Sequence, residues 1–331
     1  MFKGNMLEVE DLKKYFNVGY KKTLKAVDGV SFKVKSGETL GIVGESGCGK
    51  STLGRTIVGI YELTSGKIIF KDENINYSNK KDKAKIGNKI QMIFQDPYAS
   101  LNPRMIVGDI IAEGWDINKK YRGNERKKKI VEMLELVGLN EEHINRFPHE
   151  FSGGQRQRIG IGRALSMNPE LIICDEPISS LDVSIQAQIM NLLLKLQKQF
   201  GFTYIFISHD LRIVKYISDN VIVIYLGNVM EYAENQVIYD YPLHPYTKVL
   251  FSAIPIPNPD IEKSKKTILL EGDIPSPINP KPGCKFASRC PLVQDICTKI
   301  EPELKERKPG HFVACHILWW KGGEVNISKS N

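Results

Sequence analysis

A glycine-rich loop set between an apolar strand and a helix constrains this chain more than any other feature. Residues 44–52, GESGCGKST, fit the spacing G-x-x-x-x-G-K-[ST]. Glycines at these positions let successive backbone N–H groups close round a phosphate, and the lysine reaches the terminal phosphates of the same ligand. The loop follows the apolar ETLGIVG and precedes TLGRTIVGI, so a strand delivers it and a helix N-terminus completes it, with the helix dipole favouring an anion. The residues assigned to the cradle are Gly44, Glu45, Ser46, Gly47, Cys48, Gly49, Lys50, Ser51 and Thr52. Cys48 stands at a helix N-terminus, where a thiolate is favoured, and is expected to be reactive.

A second block supplies what the first needs. The apolar run Leu171-Ile172-Ile173-Cys174 reads as a buried parallel strand that carries Asp175 and Glu176 to the C-terminal edge of the sheet. Mg²⁺ prefers oxygen ligands and keeps several waters, so the Ser51 hydroxyl, the ligand's phosphates and Asp175 are sufficient to hold it. Glu176, one residue further on, is placed to act as general base toward a hydrolytic water.

Two further blocks, FSGGQ at 151–155 and ISHD at 207–210, follow in order. Together the four resemble the ATP-binding subunit of an ABC transporter, with Phe151 where that family has the Leu of LSGGQ. The resemblance implies that Ser152, Gly153, Gly154 and Gln155 meet the γ-phosphate of ATP bound to an opposing subunit. It implies that Gln95, in QMIFQDPYASLNPR, touches the metal or attacking water, and that His209 is the switch histidine beside the γ-phosphate. Ser180-Leu181-Asp182 falls in the loop through which subunits communicate, with Ser for the commoner Ala and Ile178 for the usual Thr. Asp182 carries that role. Phe16 aligns with the aromatic that stacks on adenine, with Tyr15 adjacent as the alternative.

Composition fits a motor subunit rather than a membrane span. The chain has 331 residues, 42% hydrophobic and 25% charged, enough for one large domain and a smaller appendage. No run of about 18 apolar residues occurs, and the N-terminal MFKGNMLEVEDLKKYF has no apolar signal core. The expected place is therefore the cytoplasmic face of the membrane, held there by partners. A net charge of +8 is partly concentrated in seven basic residues of 119–129. With no interleaved aromatic beyond Tyr121 this reads as a solvated helix start, so no nucleic-acid partner is expected.

Periodicity gives the layout. Residues 5–43 alternate as β structure with turns at Asn17-Val18-Gly19 and Ser36-Gly37, and residues 100–165 change to helical spacing, with Ile130, Met133, Leu134 and Val137 on one face of a helix that Gly138 ends. Strands and helices alternate again from Leu171. Pro255-Ile256-Pro257-Asn258-Pro259 reads as a linker. The expected fold class is α/β: an ABC-type nucleotide-binding domain over 1–255 with a helical subdomain at about 100–165, and a small Cys-rich extension over 256–331.

That extension carries Cys284, Cys290, Cys297 and Cys315, spaced C-x₅-C-x₆-C-x₁₇-C. Two disulfides are not expected in a reducing compartment, and so short a tail needs a staple, so a bound metal is the better reading. Zinc sites show closer C-x₂₋₄-C pairs and an iron–sulfur cluster also takes four cysteines, so spacing leaves Zn²⁺ and a cluster both open. The words HPYTKVLFSAIP at 244–255, LLEGDIPSPINPKPGCKFASRCP at 269–291 and GHFVACH at 310–316 are similar to the extension of oligopeptide and dipeptide importer ATPases. That resemblance implies a [4Fe–4S] cluster. FSGGQRQRIGIGRAL with CDEPISSLDVSIQAQIMNLL looks most like the F-type subunit of those importers. Such a subunit pairs with a D-type homologue, or with itself in isolation, docks two transmembrane permeases, and depends indirectly on an extracytoplasmic peptide-binding protein. Relatives of this kind also carry nickel, glutathione or other small ligands, which stands as the alternative cargo. Because every nucleotide motif precedes residue 210, the extension is expected to be separate from the motor.

Other classes fit less well. A switch GTPase would share the phosphate loop but has no need of FSGGQ together with His209, and a chromosome-maintenance ATPase separates its halves by a long coiled coil. Here 100 residues lie between Ser51 and Ser152, without sustained heptads.

Overall fold

The computed structural model describes residues 4–255, 272–321 and 324–327. Most of the proline-rich linker, from residue 256 to 259, lies outside them. The chain divides into two compact units: residues 1–6, 34–38 and 71–206 form one, and residues 7–33, 39–70 and 207–331 the other.

In the first unit, strand Ile90–Ile93 runs parallel to strand Leu171–Asp175, with Ile90 opposite Leu171 and Ile93 opposite Cys174. All five residues of the second strand are buried, which is why it reads as an uninterrupted apolar run rather than as an alternation. Helices Val107–Ile117, Gly123–Leu136 and Gly153–Ser166 pack together, and the Trp115 indole donates to the Ser166 carbonyl at 2.6 Å. Ile130, Leu134 and Val137 are buried as their spacing requires, while Met133, expected on the same face, is only half-buried. Helix Val183–Phe200 ends at Gly201, whose φ of 72° terminates it.

The second unit holds two sheets. Strands Asn5–Gly19 and Ser65–Phe70 pair antiparallel, and strand Lys22–Lys35 lies on the other side of the first. The turn falls at Tyr20 and Lys21 rather than at Asn17-Val18-Gly19, since strand pairing carries Gly19 into the hairpin arm. In the other sheet, Thr39–Val43 runs parallel to Asn220–Tyr225, which pairs antiparallel with Asn228–Glu234. The extension continues this sheet: Phe312 and Val313 pair with Tyr232 and Glu231, and strand Lys305–Lys308 adds outside them. A second tie holds the extension to the N-terminal hairpin, where Lys25 N–H donates to the Pro277 carbonyl at 3.2 Å and Asn279 N–H to the Thr23 carbonyl at 2.9 Å.

Among the described residues no helix is long and apolar enough to cross a membrane.

Candidate functional site

The fully buried strand Thr39–Val43 feeds residues 44–49 into helix Lys50–Ile57. Glycine is required at two of these positions by close approach as well as by conformation. At Gly49, with φ of 103°, an added Cβ would stand 2.0 Å from the Ala26 carbonyl oxygen; at Gly44 it would stand 2.1 Å from that of Ile224. The loop is thus pressed against two neighbouring strands, which fixes its shape before any ligand arrives. Lys50 is 5% exposed and its ammonium donates to the Gly44 carbonyl at 2.8 Å and the Glu45 carbonyl at 3.0 Å, so the cation sits inside the ring the loop makes. Ser46 and Gly47 are exposed at its lip, and Ser51 and Thr52 half-buried in the first helical turn.

Cys48 departs from expectation. It is 4% exposed, and burial pushes its thiol up, with only partial relief from Lys50. A desolvated thiol is protonated and inert, so packing overrides the helix dipole and Cys48 is a small core residue of the loop.

In the first unit the parallel register explains a convergence. Ile93 stands opposite Cys174, so Gln95 and Glu176, each two residues further on, emerge at the same sheet edge. Gln95 Nε2 donates to Glu176 Oε2 at 2.9 Å. Asp175 closes the strand and is wholly buried. Glu176 has φ of 46°, a left-handed conformation that costs a non-glycine residue about 1–2 kcal/mol and turns its side chain out of the strand's alternation.

The signature segment is a capping box. Ser152 caps helix Gly153–Ser166, with Gln155 N–H donating to its Oγ at 3.4 Å and Ser152 N–H donating to Gln155 Oε1 at 3.0 Å. Gly154 is needed for packing: a Cβ there would lie 2.4 Å from Ile185 Cγ2. Asp182 caps the next helix, accepting from Ile185 N–H at 3.0 Å and from the Ser184 hydroxyl at 2.7 Å, which hold its carboxyl below the usual range. These local duties account for the residue types at Ser152, Gln155 and Asp182 without a ligand, and leave their exposed faces available to one.

In the second unit His209 is exposed at the end of strand Thr203–Ile207. Between the two adjacent aromatics the geometry discriminates. The Tyr15 hydroxyl is committed to a short hydrogen bond with Asp28, and burial, then that bond, push its pKa up and keep the phenol protonated. Phe16 is half-buried, meeting Tyr61 edge to face at 5.4 Å.

The four cysteines are reduced, Cys297 and Cys315 buried and the other two half-buried. Cys284 N–H donates to the Cys297 carbonyl at 2.7 Å. Burial pushes the Cys284 thiol up to about 12, with the other three cysteines close enough to add to the effect. They do not meet at a point: among the described residues no group of three or more His, Cys, Asp or Glu is arranged to hold a metal ion.

The sequence reading missed two residues that hold the phosphate loop, Tyr246 just before the linker and Arg289 in the extension. The Tyr246 hydroxyl accepts from Glu45 N–H at 3.0 Å, and Arg289 forms an ion pair with the Glu45 carboxylate at 2.9 Å. The extension is therefore not separate from the motor. Tyr246 is also an aromatic anchor, its ring 4.7 Å from Tyr225 and 5.3 Å from Phe286.

Tyr246 is held by a buried polar network. His244 Nδ1 accepts from Tyr246 N–H at 3.0 Å and so starts helix Pro245–Ser252. Glu231 accepts from Leu243 and His244 N–H groups at 2.7 and 2.9 Å and meets His311 Nε2 at 2.6 Å. Burial depresses His244 from 6.5 to about 4, against an opposing pull from Glu231. Between those values the unfolded chain binds a proton that the folded chain refuses. Stability contributed by neutral His244 is full above pH 6.5 and is lost as pH falls toward 4, by about 1–1.5 kcal/mol at pH 5.5. Urea unfolding at pH 7.5 and 5.5 is expected to show this loss in the native chain and a smaller one in His244→Asn, which keeps a capping side chain. Equal losses in both proteins would remove His244 as the cause.

Comparison with known proteins joins the two halves of the chain. The ABC transporter family profile matches residues 27–179, and the profile of the oligopeptide/dipeptide transporter C-terminal region matches residues 230–297. The chain is 53% identical over 319 residues to the oligopeptide transport ATP-binding protein AppF of Bacillus subtilis (strain 168), across 94% of this chain and 97% of that one. It is 51% identical over 319 residues to the oligopeptide transport ATP-binding protein OppF of Escherichia coli (strain K12), across 94% and 95%. Of solved structures, the post-hydrolysis dimer of the ATP-binding cassette MJ0796 bound to ADP and Pi superposes with a TM-score of 0.63 at 30% identity, over 70% of this chain and 99% of that chain. The cbiO1 protein of Clostridium perfringens gives 0.63 at 32% identity, over 72% and 92%.

Proposed function

This chain belongs to the ABC transporter family, as an ATP-hydrolysing subunit, and from that membership we propose that it powers the import of oligopeptides. The observation that carries the reading is the joint presence of the cassette motifs and of an oligopeptide-transporter C-terminal region in one chain, at about half identity to oligopeptide transport subunits across nearly the whole length. As an ABC ATPase without a membrane-crossing helix among its described residues, it works with permease subunits. We assign it to the cytoplasmic face of the membrane, paired with a D-type homologue and served by an extracytoplasmic peptide-binding protein.

Taken unit by unit, the residues present are of the kinds that MgATP takes. The loop 44–52 offers backbone N–H groups and Lys50 to the phosphates, and Phe16 offers a π face to adenine. Ser51, Gln95 and Asp175 are hard oxygen donors of the kind Mg²⁺ takes; the ion, when bound, neutralises charge on the phosphates. Glu176 accepts a proton from the attacking water while the Gln95 amide, donating to Oε2, fixes which carboxylate oxygen is left for that proton. His209 steadies the γ-phosphate. Ser152, Gly153, Gly154 and Gln155 close on the nucleotide of the opposing subunit, and Asp182 links the two sites. Binding closes the pair and hydrolysis reopens it.

Cys284, Cys290, Cys297 and Cys315 are assigned to a [4Fe–4S] cluster. The other three cysteines are near enough to act on the Cys284 thiol, but no metal-holding group occurs among the described residues, so this assignment rests on the resemblance of the extension, with Zn²⁺ as the alternative. A cluster held by these four thiolates would cross-link the extension. Anaerobically purified protein is expected to contain iron and sulfide with broad visible absorbance lost in Cys290→Ser; stoichiometric zinc without sulfide would contradict it.

The transport role is tested in cells lacking this subunit. Uptake of a labelled oligopeptide should be lost, return with the native chain, and fail to return with Glu176→Gln. Uptake unaffected by the deletion would refute the reading.

A further inference from the structure

The second residue of the phosphate loop is a carboxylate, which is an awkward charge to keep beside a polyphosphate. Like charges at close range and low local dielectric repel strongly, and Glu45 belongs to the same GESGCGKST turn whose backbone forms the cradle. The structure deals with it from the far end of the chain. Arg289 Nη1 lies 2.9 Å from Glu45 Oε2 and 3.2 Å from Oε1, and 3.3 Å from the Tyr225 hydroxyl. The arginine side chain is only 9% exposed and the carboxylate 23%, so water screens the pair poorly. A buried arginine has a large desolvation cost, and the charge-assisted contact of Nη1 with both carboxylate oxygens offsets part of it. The Glu45 backbone is also held, its N–H donating to the Tyr246 hydroxyl at 3.0 Å.

We propose that Arg289 is a positioning residue for nucleotide binding: it neutralises the Glu45 carboxylate and keeps it turned away from the phosphates. The inference rests on the reading that loop 44–52 binds them. It gives the extension a part in the motor, with the arginine placed by the short turn Ala287–Arg289 that ends at Cys290. Arg289 touches neither nucleotide nor reacting atoms; it acts through Glu45.

A double-mutant cycle on the full chain tests this. Equilibrium binding of a fluorescent ATP analogue and steady-state ATP hydrolysis are measured for the native protein, Arg289→Met, Glu45→Gln, the double variant and Arg289→Lys, with thermal midpoints as a folding control. Arg289→Met is expected to weaken nucleotide affinity about tenfold and raise KM with little change in kcat, because the uncompensated carboxylate opposes the bound phosphates. Introduced into the Glu45→Gln background, the same substitution should cost less than about twofold, and Arg289→Lys should recover most of the native affinity. The proposal is overturned if Arg289→Met leaves affinity unchanged, or if its cost is the same with and without the Glu45 carboxylate, which is how a merely structural arginine behaves. Lys50→Ala separates the underlying reading: if that variant binds nucleotide normally, it is the assignment of the loop that fails.

Discussion

Glu176→Gln is expected to lower ATP turnover at least about 100-fold, the scale on which a general base contributes, while nucleotide affinity stays near the native value. Glutamine has the same shape and can stay at the same sheet edge, but it cannot take a proton from water. The geometry makes the substitution a clean one. Gln95 already donates to Glu176 Oε2, so the carboxylate is oriented by a neighbour that can equally well meet an amide oxygen. Its left-handed backbone, with φ of 46°, is set by the turn and not by the ionisation state. Phosphate release in the steady state and equilibrium binding of a fluorescent nucleotide separate the two quantities. Turnover within about tenfold of native would assign the base elsewhere.

Lys50→Ala should act on the other quantity. Its ammonium is nearly buried and donates to two loop carbonyls. It is therefore both a cation offered to the phosphates and a brace for the loop. Each charge-assisted hydrogen bond is worth about 1.5–3 kcal/mol, so losing even one to the nucleotide weakens binding by roughly 10- to 150-fold. The loop should keep its general course, since Gly44 and Gly49 are held by close approach to neighbouring strands. Binding isotherms that superpose on the native ones would overturn the assignment of this loop to the phosphates.

What the sequence made legible follows from how local each feature is. The phosphate loop and the cap at Ser152 are written in contiguous residues. The meeting of Gln95 with Glu176 needs only one further step, a parallel register between two strands, and each strand is recognisable as an apolar run. The placing of the N-terminal turn was off by a residue or two because Asn17 and Gly19 are good turn formers, yet strand pairing outweighs them. Cys48 illustrates a different failure: a helix N-terminus can be read from sequence, whereas burial cannot, and burial prevails. The contacts from Tyr246 and Arg289 to Glu45 were invisible for a third reason. They span 201 and 244 residues, and no periodicity or spacing marks an ion pair between a loop near one end of a chain and a turn near the other. The HPY word at 244–246 and the RCP word at 289–291 were noticed as markers of kinship, but their physical purpose lies in what they touch.

The central claim, a motor committed to oligopeptides, is tested most directly by ATP hydrolysis in proteoliposomes carrying this subunit with its permeases, its partner ATPase and the peptide-binding protein. Hydrolysis should rise when an oligopeptide is supplied with the binding protein, should not rise with Ni²⁺ or glutathione, and should be absent when Glu176→Gln replaces the native chain. Stimulation by nickel or glutathione in place of peptide, or hydrolysis indifferent to every cargo, would contradict it.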